Sequence, residues 1–420
     1  MTISPTVKKV LLGSLFIAAI IAIGFLLYVV FFQDDDGTNP FFGRGSTNSN
    51  TNQQVLPDVN ALLANLNIST GSDGGTTGTL PDVDTVANGG LTTTTTLTPD
   101  IETQDPAMSV DGEFRFYEPE TGKFYSVDEN GNLNQIGEAQ FGDVEKVTWS
   151  NTENETILEF PDGSNIYYDL DSDKQVTLPK EYEEFDFSET SSKIAFKYQH
   201  IDVERKVVAT SNPDGSGAKT VPGGALGPNS EKVSVQWSPN NSIVATHREF
   251  IDGTRQEVGF LGLNNENFKG TIVEGLGFQS QFSPDGRQML YSVYRADTNY
   301  QPELWIVRAD GANIGNGRLN LELSTFEDKC AFNDTSSAIY CGVPTEEVVG
   351  IALERSIGDT VPDQLYRIDL SSGVKERIAV PVDDNGTPIY HISSIFVNED
   401  ETAVIFQDKN SGELVRIDIE

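Results

Sequence analysis

The feature that most constrains the fold of this chain is a unit of sequence that recurs along its C-terminal three quarters. The clearest copy is QFSPDGRQMLYSVY at 281–294, followed by ELWIVRADG at 303–311. Ser-Pro-Asp-Gly is a tight-turn signal, because proline presets φ and glycine closes the turn. The flanking apolar and β-branched residues predict two antiparallel strands, and ELWIVRAD predicts a third.

The turn position recurs along the chain, usually directly after an aromatic or other apolar residue. It falls at Ser109, Ser150, Ser188, Ser238, Ser283, Asn333 and Asn398. A third-strand segment follows each copy, and a short fourth strand follows most of them, as in KQVTL at 174–178. Four strands per unit, at a period of about 40–50 residues, indicate a β-propeller. We therefore predict an all-β fold with a seven-bladed β-propeller, with six or eight blades as the alternatives.

The unit FSPDGRQMLYS…ELWIVRADG resembles the WD-repeat-like unit of TolB-type propellers and of the propellers in prolyl-oligopeptidase-type enzymes. The resemblance covers about residues 105–420 and implies the propeller fold. The sequence shows neither the extra α/β domain of TolB proteins nor the G-x-S-x-G elbow of the peptidases. We therefore carry over the fold alone, without the TolB partners or the peptidase activity.

An uncharged apolar run near the N-terminus predicts a membrane anchor. Residues 10–32 contain no charged residue, and about 20 such residues span a bilayer. Lysines precede the run and aspartates follow it, so we predict that residues 1–9 are a cytoplasmic tail and that the remainder lies outside the membrane. A cleaved signal peptide is the alternative, but the run is longer than the usual apolar region of about 7–15 residues and no A-x-A site closes it.

The composition of residues 33–90 predicts a flexible stalk. Thr, Asn, Gly, Ser and Asp dominate it, and such a segment buries too little apolar surface to offset the entropy of ordering. Val59, Leu62, Leu63 and Leu66 have helical spacing, so a short docking helix within the stalk is the alternative there.

The stretch 91–97 is expected to close the ring. The last unit ends at Glu420 with its third strand, and a missing fourth strand would leave an open sheet edge. Leu91 and Leu97 flank five threonines, which favour strands, so we predict that 91–97 forms the outermost strand of blade seven beside Leu414–Ile419. The propeller domain would then span 91–420. A solvated Thr-rich tract is the alternative.

The two cysteines, Cys330 and Cys341, flank the hairpin that turns at Asn333. They have the same index sum as Phe332 and Ile339, so they are expected to face each other across the first two strands. Cross-strand Cβ atoms lie about 4.5–5.5 Å apart, close to disulfide range, and a location outside the membrane permits a disulfide. We predict this disulfide; two small buried hydrophobic residues are the alternative.

Loops that lengthen in blades three to six predict a binding face. Connections between second and third strands, and those between blades, share one face of a propeller. Ten histidines, arginines and tyrosines map to them: His200, Arg205, His247, Arg248, Arg255, Tyr294, Arg295, Tyr300, Arg355 and His391. We hypothesise that Arg forks and aromatic rings there bind a carboxylate, phosphate or acidic glycan group of a protein or glycan partner. The alternative is that the arginines pair with nearby acids.

The charge and the motifs constrain the chemistry. With 64 acidic and 28 basic residues, a formal charge of −36, the chain is too acidic to bind nucleic acid through a broad basic surface. We find no catalytic, cofactor or metal motif; Asp169-x-Asp171-x-Asp173 opens like a calcium loop but lacks its glycine and distal glutamate. We predict a membrane-anchored binding or scaffold module, with a structural cell-envelope component as the alternative and a hydrolase less favoured. The oligomeric state stays open.

Overall fold

The computed structural model describes residues 83–419. The predicted cytoplasmic tail, the predicted membrane span at 10–32 and most of the predicted stalk lie outside these residues. Within 83–419, no helix is both long enough and apolar enough to cross a bilayer.

Two short strands, β1 (Leu91–Thr93) and β2 (Thr95–Thr96), precede seven units of three or four strands. Blade one contains β3 (Gln104–Met108), β4 (Phe114–Glu118), β5 (Lys123–Val127) and β6 (Leu133–Ile136). Blade two contains β7 (Lys146–Trp149), β8 (Glu155–Glu159), β9 (Asn165–Asp169) and β10 (Lys174–Leu178). Blade three contains β11 (Tyr182–Phe187), β12 (Ile194–Tyr198), β13 (Val207–Ser211) and β14 (Lys219–Ala225).

Blade four contains β15 (Val233–Val235), β16 (Ile243–Phe250), β17 (Arg255–Gly262) and β18 (Thr271–Glu274). Blade five contains β19 (Leu276–Phe282), β20 (Gln288–Tyr294), β21 (Pro302–Arg308) and β22 (Leu319–Asn320). Blade six contains β23 (Cys330–Phe332), β24 (Ala338–Pro344), β25 (Asp363–Asp369) and β26 (Lys375–Val382). Blade seven contains β27 (Ile392–Val397), β28 (Ala403–Asp408) and β29 (Leu414–Asp418). The prediction of an all-β, seven-bladed propeller is confirmed.

Six single turns of 3-10 helix complete the secondary structure of the described residues. They are Val203–Arg205, Ser230–Lys232, Ala296–Thr298, Gly311–Asn313, Glu327–Lys329 and Arg355–Gly358.

The turn between the first and second strands has one geometry in blades three to seven. In blade five, the Ser283 N–H donates to Gln288 O at 3.0 Å, and the Gly286 N–H donates to Ser283 O at 2.8 Å. Residues at the Gly286 position have positive φ even without being glycine, as at Asn241 (57°) and Ser336 (55°). The repeated turn predicted from the sequence therefore forms a tight hairpin with one left-handed residue.

The hydrophobic core is divided among the interfaces between blades. The described residues contain seven buried clusters, and each joins one blade to the next. The cluster between blades one and two packs Phe124 against Trp149 with ring centroids 5.7 Å apart. The cluster that joins blade seven to blade one contains Phe114, Ile405 and Leu97. The sheets therefore close into a ring.

A hydrogen bond made by a polar side chain also crosses every blade interface. In each pair the side chain lies on or next to the first, second or third strand of one blade, and its partner lies on the following blade. The aspartate and glutamate side chains accept, and the glutamine side chains donate. The pairs are Asp105 with Val147 N, Glu159 with Glu184 N, Asp186 with Trp237 N, Gln236 with Ser280 O, Gln281 with Cys330 O, Asp363 with Ile392 N, and Gln407 with Thr103.

The stretch expected to form one closing strand over 91–97 forms two strands on different blades. β2 pairs antiparallel with β29 as the outer strand of blade seven, whereas β1 pairs in parallel with β26 as a fifth strand of blade six. The chain crosses between the blades at Thr94, whose hydroxyl lies 3.2 Å from Val382 O and 2.8 Å from the Tyr390 hydroxyl. Period-2 alternation alone does not reveal such a crossing.

Cys330 and Cys341 are direct partners in the register of β23 and β24. Their sulfur atoms lie at disulfide distance, 2.15 Å, and both side chains are buried in the cluster between blades five and six.

Candidate functional site

The connections between second and third strands of blades three to six project from one face. Strands alternate in direction within each blade, so these connections and those between blades share a face. In blades three, five and six they span 199–206, 295–301 and 345–362. Blade four instead extends β16 and β17, eight residues each, beyond a short connection at 251–254. We call this surface the long-loop face.

Blade four therefore differs from the loop predicted over 247–256. β16 continues through His247 and Arg248 to Phe250, and Phe250 pairs with Gln256 on β17. The segment stays in a sheet because backbone hydrogen bonds across the hairpin continue to its tip. His247 and Arg248 consequently lie on a strand.

Exposed hydrophobic side chains crowd the tips of these four projections. They are Ile201, Val203, Phe250, Ile251, Tyr300, Val349, Leu353 and Ile357, and we call them the apolar tips. Ile201 is 95% exposed and Val349 66%. The equivalent connections of blades one, two and seven carry no exposed large hydrophobic residue among 83–419. Tyr300 was predicted from the sequence as a face residue. The others were missed because the prediction considered histidines, arginines and tyrosines, although each stands out in a polar loop.

A cleft of about 630 Å³ opens on the same face between blades four and five. Tyr294 and Tyr300 line it with ring centroids 6.3 Å apart. Gly277 makes room for Tyr294, because a Cβ atom there would lie 2.2 Å from the tyrosine ring. Arg255 and Arg295 also line this cleft, which we call the blade 4–5 cleft.

Both arginines of the blade 4–5 cleft are already paired with acids. Arg295 Nε and Nη2 donate to the two carboxylate oxygens of Glu303 at 3.0 and 2.9 Å. Arg255 donates from Nε and Nη2 to Asp252 Oδ2 at 2.9 and 2.7 Å. Glu274, which faces Arg255 across β17 and β18, lines the same cleft and has no ion pair within 4.0 Å in the described residues.

The backbone at the rim of the cleft has an unusual conformation. Asn299 and Tyr300 both have left-handed φ values, 56° and 55°. Bulky residues rarely adopt this region, and surrounding contacts must hold them there. The Gly350 and Ala352 N–H groups donate to Asn299 O and Tyr300 O at 2.8 and 3.0 Å, so the blade-six connection fixes this loop.

A smaller cleft of about 120 Å³ lies near blades six and seven on the long-loop face. Arg355 and His391 line it together with Lys329. Arg355 donates to both oxygens of Asp328 at 2.7 and 2.8 Å and stacks over Phe326. Lys329 Nζ lies 2.6 Å from Asp363, and burial raises the pKa of that carboxyl despite the nearby ammonium group. The sequence offered no signal for this pair, since 34 residues separate its members.

Glu327 is a buried carboxyl beside this smaller cleft. It is 5% exposed and accepts a hydrogen bond from the Ser292 hydroxyl. Burial is the main cause that raises the pKa of Glu327 to about 7, and the adjacent Asp328 adds to the effect.

The ten predicted face residues therefore have different surroundings. Arg255, Tyr294, Arg295 and Tyr300 meet in the blade 4–5 cleft, whereas Arg355 and His391 meet in the smaller one. Arg248 donates to two backbone carbonyl groups, Phe278 O and Glu231 O, both at 3.0 Å, and so joins blades. His247 lies against Gly259.

Two further predicted residues lie on the blade-three connection. His200 Nδ1 accepts from the Asp202 N–H at 2.9 Å, and Arg205 is exposed. Three of the five arginines thus make carboxylate pairs, as the alternative interpretation expected.

The Asp169 side chain stabilises the turn between β9 and β10. Its Oδ1 accepts from the N–H groups of Asp171 and Ser172, both at 3.1 Å. Within residues 83–419, no group of three or more His, Cys, Asp or Glu side chains has the arrangement of a metal site.

No family model matches the sequence, and no curated protein sequence is similar to it. Solved structures are similar in fold. An oligogalacturonate lyase in complex with manganese has a TM-score of 0.52 at 13% identity, covering 78% of this chain and 93% of that one. An oligogalacturonate lyase from Vibrio parahaemolyticus has a TM-score of 0.52 at 12% identity, with the same coverage. At such identities the likeness extends to the fold alone: the described part of the chain is a seven-bladed β-propeller.

Proposed function

We propose that the protein is a binding module that engages a protein partner through the long-loop face and that residues 10–32 hold it at a membrane. The observation that carries the proposal is the set of apolar tips. Large exposed hydrophobic patches on soluble domains mark interaction sites. These residues lie on four adjacent blades and one face, whereas the same connections of the other three blades lack them.

A protein partner fits the chemistry better than a glycan. Most of the apolar tips are aliphatic, and aliphatic side chains pack against other apolar side chains in the cores of protein interfaces. Sugar rings favour flat aromatic platforms, and Phe250 and Tyr300 are the aromatic members of the set. The Arg forks, which would recognise an acidic glycan, are held by Asp252, Glu303 and Asp328.

The path of the N-terminal segment supports a tethered arrangement. Val83, the first described residue, lies against Gly386 in the connection between β26 and β27, which belongs to the long-loop face. The proposed stalk would therefore join the propeller at this face. A flexible chain of about 50 residues has a root-mean-square length of about 40 Å. The long-loop face would then search for partners close to the same membrane.

Photo-crosslinking in cells tests this proposal. A photoreactive amino acid replaces Phe250 or Leu353 in the full chain, and Val110 or Val374 on the opposite face as controls. Exposure is matched, at 61% and 58% for the first pair and 68% and 58% for the second. We expect one protein adduct from the first pair alone.

The crosslinked protein is then identified, purified and titrated against the full chain in detergent. Phe250→Ser with Leu353→Ser should weaken the affinity at least tenfold, whereas Val110→Ser with Val374→Ser should leave it unchanged. Equal adducts from both faces, or equal losses in both double variants, would refute a specific role for the long-loop face.

A further inference from the structure

We infer that the partner presents a basic and apolar polypeptide segment and that one of its Lys or Arg side chains enters the blade 4–5 cleft. This inference rests on the proposed function and adds the chemistry of the partner. The inference follows from which charged side chains of the long-loop face form ion pairs and which have no ion-pair partner.

Carboxylates flank the apolar tips. Asp202 and Glu204 alternate with Ile201 and Val203, whereas two glutamates, 346 and 347, lead into Val349. The four connections 199–206, 251–254, 295–301 and 345–362 together hold eight acidic and four basic residues. The blade-six connection alone holds four acids and one base. A partner that covers the apolar tips must therefore also approach these carboxylates.

Fewer cations than carboxylates of the four connections are left without an ion pair. Arg255, Arg295 and Arg355 each donate two hydrogen bonds to an acid. Among residues 83–419, the bases of these connections without an ion pair within 4.0 Å are Arg205 and Lys206, whereas the acids without one are Asp202, Glu204, Glu346, Glu347 and Glu354. The open charge next to the apolar tips is therefore negative, and an approaching cationic segment supplies its complement.

The blade 4–5 cleft has the lining that a cationic side chain needs. Tyr294 and Tyr300 offer two adjacent ring faces, which attract Lys and Arg through cation–π interactions. Glu274 supplies a carboxylate without an ion-pair partner in the described residues. Ion pairs with Asp252 and Glu303 neutralise the positive charges of Arg255 and Arg295. The volume of about 630 Å³ exceeds that of one long side chain.

The same charges disfavour two other occupants. A second copy of this chain would bring an equally acidic face against this one, and like charges across an interface disfavour association. An anionic bilayer surface would repel the carboxylates beside the apolar tips. A basic protein segment is also drawn in by the overall charge of −36, which speeds its encounter with the propeller.

Two synthetic amphipathic peptides of equal length serve as probes, one of leucine and lysine and one of leucine and glutamate. Their binding to the full chain in detergent is followed by fluorescence anisotropy at low and high salt. We expect the lysine peptide to bind, the glutamate peptide not to bind, and the affinity for the lysine peptide to fall at least tenfold at high salt.

Matched variants distinguish binding at a specific site from general attraction to the negative charge of the propeller. Glu346→Gln with Glu347→Gln, and separately Glu274→Gln, should each weaken binding of the lysine peptide at least fivefold. Glu399→Gln with Asp400→Asn removes two exposed acids from the opposite face and should change the affinity less than twofold. Equal losses in the two double variants would overturn the inference.

Further arms test the other occupants. Binding to vesicles of phosphatidylglycerol and phosphatidylcholine tests the bilayer, and sedimentation of the protein alone tests a second copy. We expect neither lipid binding nor self-association through the apolar tips. Lipid binding or self-association that Phe250→Ser with Leu353→Ser abolishes would overturn the inference. If the crosslinked partner binds through the apolar tips but is insensitive to Glu274→Gln and Glu346→Gln with Glu347→Gln, the inferred chemistry fails and the proposed function stands. If the apolar tips are also unnecessary, the proposed function fails.

Discussion

Replacing Glu327 with glutamine tests the energetic effect of a buried carboxyl beside the smaller cleft. Burial raises the pKa of Glu327 in the folded chain to about 7 from an ordinary value of 4.5. Between these values the folded state binds a proton that the unfolded state releases, so the free energy of unfolding falls as the pH rises through that window. Glutamine stays neutral, and its amide group can still pair with the Ser292 hydroxyl, so the variant should escape this loss.

The expected size follows from the two pKa values. A difference of about 2.5 units corresponds to about 3 kcal/mol, of which about 2 kcal/mol develops between about pH 5.5 and 8.5. For about 330 folded residues the entropy of unfolding is about 0.7 kcal/mol per kelvin, so the Tm advantage of the variant should grow by about 3 °C over that interval.

Thermal unfolding of the full chain in detergent, followed by far-ultraviolet circular dichroism at both pH values, measures this difference. Glu120→Gln, on the exposed connection of blade one, controls for the loss of one negative charge. A Tm difference between Glu327→Gln and the parent that is the same at both pH values, or that shrinks as the pH rises, would refute the reasoning.

Three other predictions concern the ring. The Leu97 side chain is 2% exposed between blades seven and one. Leu97→Ala should therefore lower the free energy of unfolding by about 3 kcal/mol and the Tm by about 4 °C, measured by thermal unfolding. Leu133→Ala, at an exposed site, should change the Tm by less than about 1 °C. Arg115 donates to Ser150 O and Glu153 O on the next blade. Arg115→Met should therefore lower the free energy of unfolding, measured in denaturant, by about 3 kcal/mol; an unchanged midpoint would contradict this. Alkylation of the denatured, unreduced chain should modify neither Cys330 nor Cys341, and mass spectrometry that finds them modified would exclude the disulfide.

The architecture was predictable because its signals are local. Each turn from Ser109 to Asn398 is set by a few adjacent residues, and the alternation of apolar residues on either side defines the strands. The pairing of Cys330 with Cys341 follows from the register of one hairpin. Repetition of the unit then fixed the order of the blades without any long-range information.

The site was only partly predictable because it depends on distances across the ring. Sequence placed Tyr294 and Arg295 at the connection between the second and third strands of blade five but did not reveal that Glu303 occupies the Arg295 fork. Similarly, the partners of Thr94 lie almost 300 positions away, on the chain segment that ends blade six. Which charges remain open to a ligand depends on such contacts, and no local pattern encodes them.

The apolar tips are separate from the contacts that hold the ring together. The seven hydrophobic clusters contain no residue of the connections 199–206, 251–254, 295–301 and 345–362. Ile201, Phe250 and Leu353 belong to none of the clusters and remain 95%, 61% and 58% exposed. Exposed apolar residues on a stable scaffold add little to folding and increase the risk of aggregation. The proposed contact with a partner would balance this risk, and the ring beneath can keep its stability while these loops change.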